Sequence, residues 1–351
     1  MAPPPRMAAA HATSRSKGDS LLVTAVYSAA DTSRVDVKLV DVVSGAIVDQ
    51  LDGQRTGHLA AAGGLICLVR TGGAAGVRVF NPATGAVTDI PAGTTTVEGS
   101  NQTSSAAYVF GQVPATGEYK VLRINTARGS HGEPKQSCEI LTLRGRGQSW
   151  RPAQGPPAAV NTTIPRQRAV AQGFAHFLTT SSDMGEYDGI ASFDLAKETW
   201  RPSLLRGPLP SRSRNCCHSN LSLVELNGCP VFVHHDYLSC CIDMWLLTDL
   251  EKGNWLRIQS LPLGSILRGW GEPAKGQPAP LIPVSRLPRE IFAQPLMVLD
   301  DGRIAFWVAV PNGSVRVYDP KARRCKEVVD MGRTCTVVGL CKRSQQLGCT
   351  K

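Results

Sequence analysis

Long hydrophobic runs are missing from this chain. The longest apolar stretch, LAAAGGLICLV at residues 59–69, falls well short of the roughly 18–20 residues that span a bilayer, so no membrane span is expected. No basic start leads into an apolar core near the N-terminus, which argues against a secretory signal. Acids are absent before Asp19, and the Ala-, Pro- and Ser-rich residues 1–19 read as a disordered tail whose composition leaves organelle targeting open. Charged residues make up only 19% of the chain. The net charge of +10 raises an acidic partner as one reading. Lys and Arg are nevertheless scattered, without a dense basic run or an aromatic-basic module, so ordinary solvated surface fits better and nucleic acid is not expected. Sustained helical periodicity is lacking too, whereas Gly (34) and Pro (24) are abundant, so many short strands are predicted.

The motifs of common enzymes are also absent. There is no Gly-x-Ser-x-Gly elbow, no phosphate-binding glycine loop with Lys and no His-Glu-x-x-His. Carboxylates at Asp300, Asp301 and Glu225 raise a glycosidase-like reading, but Asp301-Gly302 has turn chemistry. No enzyme, catalytic residue or cofactor is predicted. Eleven cysteines, many inside apolar segments, fit reduced intracellular thiols and a place in the cytoplasm or nucleus. The sequons at Asn101, Asn161, Asn220 and Asn312 then read as chance matches. Cys216-Cys217-His218, His234-His235 and Cys240-Cys241 form the most metal-like cluster, but they lack the paired Cys-x-x-Cys spacing of zinc knuckles, and no metal is predicted.

What the chain does hold is a repeat. A strand ends near a polar residue that opens a turn, and an apolar residue resumes six positions later: Asp41 to Ile47, Asn81 to Val87, Arg144 to Trp150, Asp194 to Trp200, Asp249 to Trp255 and Asp319 to Cys325. The spacing within copies is constant while that between them runs from 40 to 70 residues, as in a repeat array. Asp at one fixed position reads as a turn cap, and Trp150, Trp200 and Trp255, at another, as packing between neighbouring units.

Each copy extends backwards into a four-strand meander, with the last two showing it best. PLMVLD, an Asp-Gly turn, RIAFWVAV, SVRVYDPK and CKEVVD form one, and LSLVEL, an Asn-Gly turn, CPVFVHH, CIDMWLLTDL and NWLRIQSL the other. The first copy offers only three strands, and TCTVVGL, residues 334–340, is left unpartnered at the other end. The fold predicted is therefore all-β: a single six-bladed propeller of four-stranded blades over residues 20–341, closed by the C-terminal strand pairing into the first blade, with a tail at 342–351. Strand alternation sends the links from second to third strand, and from one blade to the next, to one face. The blade-to-blade links are long, and long loops on a rigid scaffold commonly carry binding. Arg206, Arg212, Arg214, Arg268 and Trp270 on those links are the candidate partner-binding residues, although Trp270 also fits loop packing.

VRVFNPATG, GEYKVLRI, SWRP, IASFDLAKETWRP, CIDMWLLTDLEKGNWLRIQSLPLG and VRVYDPKARRCKEVVDMG together resemble the plant F-box-associated domain of the kelch-related propeller type, over about residues 60–341. That resemblance implies a substrate-recognition module of an SCF-type ubiquitin ligase, with a separate helical F-box binding a Skp-type adaptor. No F-box is recognisable upstream of the first strand, which counts against adaptor binding. The expectation is a protein-interaction module with an unknown protein target; the alternatives are a complete adaptor with a cryptic adaptor-binding element, and a hydrolase with carboxylates in the central channel. Compared with the family pattern, the Pro-rich stretch at about 272–294 reads as a loop insertion.

Overall fold

The fold is that of a computed structural model, which describes residues 20–28, 31, 34–55, 57–70, 76–91, 105–128, 134–143, 148–180, 189–209, 220–268, 292–309, 313–332 and 335–342. Among them, strands form six four-stranded antiparallel sheets.

The first sheet takes β1 (Ser20–Tyr27), β2 (Arg34–Asp41) and β3 (Ile47–Arg55). The second is β4 (His58–Ala62), β5 (Leu65–Arg70), β6 (Gly76–Asn81) and β7 (Ala86–Pro91). The third is β8 (Ser105–Gln112), β9 (Tyr119–Arg128), β10 (Pro134–Leu143) and β11 (Arg151–Ala153), and the fourth β12 (Arg168–Ala171), β13 (Phe174–Leu178), β14 (Ile190–Asp194) and β15 (Thr199–Trp200). The fifth is β16 (Leu221–Leu226), β17 (Cys229–Asp236), β18 (Cys241–Asp249) and β19 (Asn254–Pro262), followed by a short helix, α1 (Leu263–Arg268). The sixth is β20 (Ala293–Val298), β21 (Ile304–Val308), β22 (Gly313–Asp319) and β23 (Arg324–Gly332). The last strand, β24 (Cys335–Lys342), joins the first sheet beside β1. Its register runs from Ser20 opposite Lys342 to Val26 opposite Cys335, with an irregularity at Val23/Thr24. The closure expected from the unpartnered TCTVVGL is thus present, and the ring is a six-bladed propeller.

Side chains explain why the blades stack. Successive residues of a strand point to opposite faces, and each central strand lies between two neighbouring blades, so both faces must be apolar. In β17, Val231 and Val233 enter the seam with the sixth blade while Phe232, between them, enters the seam with the fourth. In β21, Ile304, Phe306 and Val308 face the fifth blade, whereas Ala305 and Trp307 face the first. The core is accordingly six clusters, one per seam. Fully burying a side chain such as Phe232 contributes on the order of 2–3 kcal/mol. Trp150, Trp200 and Trp255 belong to the seams their blades make with the preceding ones, as the repeat position predicted. The Trp200 indole also donates to the Gln154 carbonyl at 2.8 Å.

The predicted turn caps are visible as well. Asp194, Asp249 and Asp319 each accept two backbone N–H groups on one carboxylate oxygen at 2.8–3.1 Å, as does Asp41, and the Asn81 amide oxygen accepts the Ala83 N–H at 3.0 Å in its turn. Between β16 and β17, Asn227 and Gly228 both take the left-handed conformation that a two-residue hairpin needs. The Asp301-Gly302 turn differs: only Gly302 has positive φ, at 84°, and the chain makes a three-residue loop closed by a Leu299 N–H bond to Arg303. Helix α1 was not predicted. Leu263, Ile266 and Leu267 bury into the seam between the fifth and sixth blades, and the buried Arg316 guanidinium caps the carbonyls of Ile266 and Leu267.

Candidate functional site

The six innermost strands, β24, β4, β8, β12, β16 and β20, surround a cavity of about 450 Å³ on the ring axis. Its wall is mainly small or apolar, with Leu59, Val109, Val170, Leu223, Leu296 and Val338 among the lining. Arg166 and Arg168 supply its positive charge, and Glu225 is the one carboxylate among the described lining residues.

The approach to β12 builds the basic end. The Gln136 amide holds the Val160 backbone from both sides, accepting from its N–H at 2.9 Å and donating to its carbonyl at 2.8 Å. Asn161 Oδ1 then accepts from the N–H groups of Thr163 and Ile164, at 2.9 and 3.1 Å. Pro165 opens a single 3₁₀ turn, Pro165–Gln167, where its fixed φ suits the first position. Arg166 leaves that turn with its guanidinium 4.7 Å from the Phe292 ring centroid, and Arg168 begins β12. Both residues therefore stand where the long blade-to-blade connections meet the channel.

Charge at this mouth is strongly desolvated. Burial pulls the Arg168 guanidinium down to about 10, which still leaves it protonated at neutral pH. Arg168 donates to the Thr162 carbonyl at 3.3 Å and makes no ion pair among the described residues. His58, whose ring lies 5.0 Å from that of Tyr108, has its pKa lowered by burial and then by Arg168. Burial also lowers Arg166 and raises the nearby Tyr237 hydroxyl. Glu225 is near the far end of β16, close to the Asn227-Gly228 turn, and accepts from the Gly228 N–H.

Of the residues expected to contact a partner, Arg206 is exposed, and its backbone carbonyl accepts from the Trp255 indole at 2.9 Å, which sets it in the seam between the fourth and fifth blades, away from the channel lining. Arg268 closes α1. Its side chain, Arg212, Arg214, Trp270 and residues 272–291 of the expected insertion lie outside the described residues, as do residues 1–19 and 343–351, whereas Ala293 and Gln294, placed in that insertion from the sequence, open β20. In the metal-like cluster, Cys216, Cys217 and His218 are also outside them. His235 Nε2 lies 2.8 Å from the Ala293 carbonyl, and the Cys240 thiol donates to the Tyr237 carbonyl at 3.7 Å. No three His, Cys, Asp or Glu side chains converge among the described residues.

Sequence reasoning singled out neither Arg166 nor Arg168. The available signal was IPRQRAV, two arginines entering a strand whose counterparts in other blades, HLAAA and AQPLMV, are almost uncharged.

Closed blades, seam cores and an axial cavity define the chain as a six-bladed β-propeller. Within that class it belongs to the F-box associated beta propeller domain family, whose pattern matches residues 15–265. No curated protein matches the chain. Among solved structures, it is similar to a protein of unknown function from Bacteroides caccae, at 11% identity over 94% of this chain and 100% of that one, with a TM-score of 0.47. It is also similar to a chain from the complex of the fission yeast SREBP-SCAP binding domains (10% identity, 88% and 75% covered, TM-score 0.40) and to the dihydro-heme d1 dehydrogenase NirN (13%, 91% and 68%, 0.37). No helix among the described residues is long and apolar enough to cross a membrane.

Proposed function

We propose that this chain is a non-enzymatic protein-recognition module of the kind that presents substrates to SCF-type ubiquitin ligases. The observation that carries the reading is family membership. The division of the ring into two faces agrees with it. Tight turns capped by Asp41, Asn81, Asp194, Asp249 and Asp319 occupy one face, while the connections leading to β8, β12, β16 and β20 reach the other. A rigid ring with its variable segments on one face suits recognition of a protein surface. Arg206, Arg212, Arg214, Arg268 and Trp270 are the proposed contacts.

Hydrolysis of a glycosidic bond needs two carboxylates facing one bond, and the described channel offers Glu225 alone, engaged in a turn. Delivery of a bound protein for ubiquitination additionally requires a Skp-type adaptor, and a direct pull-down with that adaptor decides whether this chain meets it. Recognition itself is tested by capture of partners with the chain carrying Arg268→Ala and Trp270→Ala. Loss of the wild-type partners is the expected result; an unchanged set removes both residues from the surface.

A further inference from the structure

Buried cations in this ring follow a rule. Lys120, 5% exposed at its side chain, meets Glu198 Oε1 at 2.7 Å; Arg123 pairs with Glu139 across β9 and β10; Arg316 meets Glu327 at 3.3 Å and caps α1. Each is matched because an unmatched buried charge costs stability without return. Arg168 departs from the rule. It lines the axial cavity, is half-buried, has one neutral carbonyl partner among the described residues, and influences a histidine instead of a carboxylate. Glu225, in the next blade, is the fifth residue of β16, while Arg168 is the first of β12, and the two strands run in the same sense, so the two charges sit at opposite ends of the channel.

We infer that Arg168, with Arg166 beside it, is an anion receptor that takes one acidic side chain, a carboxylate or a phosphorylated residue, inserted into the channel mouth by a segment of the bound protein. This deepens the protein-recognition reading and rests on it. A guanidinium is a planar fork that matches carboxylate and phosphate oxygens two at a time, and desolvation strengthens such a pair when it forms. A cavity of about 450 Å³ holds little more than one turn of helix, so an extended segment contributing a single side chain suits it better than a folded element. Apolar lining from Leu59, Val109 and Leu223 receives the stem of that side chain while the Arg166–Phe292 stack borders the entrance. The net charge of +10 favours encounter with an acidic segment.

The test uses the immobilised full chain and two peptide libraries, one fully random and one with a fixed phosphoserine. Asp or Glu enriched at one position, or capture confined to the phosphoserine library, is expected, and the two outcomes separate the sources of the anion. Arg168→Met should lower recovery of those peptides about tenfold or more, and Lys321→Met, on the opposite face, should not. The same Arg168→Met change should leave Tm equal or higher, since it removes an uncompensated charge; a lower Tm would mark Arg168 as structural and overturn the inference. Enrichment without an acidic position, or an acidic preference that survives Arg168→Met, would also overturn it. So would the absence of any enriched peptide, including the case where inorganic phosphate alone raises the wild-type Tm and not that of the variant, because the occupant is then a free anion. Loss of acid preference with partner capture still dependent on Arg268 and Trp270 would sink this inference and leave the protein-recognition reading standing.

Discussion

A single carboxylate oxygen closes each of the turns opened by Asp194, Asp249 and Asp319, accepting the N–H groups two and three residues on. These bonds are exposed and modest. Asp319→Ala should therefore cost about 0.5–1.5 kcal/mol, read as a small fall in Tm with no change in the folded spectrum. Two histidines have a larger consequence. Burial pushes His176 and His235 down from 6.5 to about 4, so both are neutral in the fold at neutral pH. Below about pH 6.5 the unfolded chain binds protons that the folded chain refuses, so their contribution is complete above that pH and drains away towards pH 4. Each adds a slope of about 1.4 kcal/mol per pH unit across that window. Replacing His176 with Gln should flatten the dependence of Tm on pH between 6.5 and 4.5; an unchanged slope would show that the imidazole is protonated in the fold. The caps were legible in the sequence because they recur at one position of the repeat. The channel arginines were not, because the Gln172-Gly173 turn that separates the innermost strand β12 from β13 has no Asn-Gly or Asp-Gly signal, so Arg168 could not be placed at the start of an axial strand.

At the scale of elements, seams decide stability. Glu198 sits at the left-handed position of its turn, φ 58°, where the equivalent turns use Gly45, Gly85 and Gly253 or Arg323. The strain is offset because from there its carboxylate bridges Lys120 and Arg151 of the neighbouring blade at 2.7 and 2.8 Å. Glu198→Gln leaves Lys120 buried beside a weaker partner and should lower Tm by several degrees, whereas Glu251→Gln, at a carboxylate that is 79% exposed in its pair with Arg201, should have a much smaller effect. Equal effects would refute the role given to the buried partner. Most strands could be read from alternation and turn residues, but AVAQGFAHF concealed two: Gln172 and Gly173, both at positive φ, fold it into a hairpin without the Asn-Gly or Asp-Gly signal. Helix α1 was hidden for another reason. LGSILR is too short to show a period, and it is the docking of Leu263, Ile266 and Leu267, together with the Arg316 cap, that makes it helical.

For the whole molecule, the ends of the chain hold the ring shut. Leu21 and Val23 of β1 share a seam cluster with Cys341 of β24, and Leu22 shares the next with Leu340 and Val337. Removing residues 335–342 exposes the β1 edge and strips both seams of the first blade. The truncated chain should lose cooperative melting altogether; a truncation that melts like the full chain would contradict closure. This much could be inferred before the fold was known, since three strands at one end and one at the other complete a blade.

The proposed recognition reading assigns partner binding to the long-connection face of the ring and a structural part to the other. It is tested most directly by photo-crosslinking from both. A photoreactive residue at Leu238, 76% exposed in the turn between β17 and β18 on the long-connection face, should form covalent adducts with partner proteins, and one at Lys321, in the turn between β22 and β23, should form none. Adducts from Lys321 with none from Leu238 would contradict it.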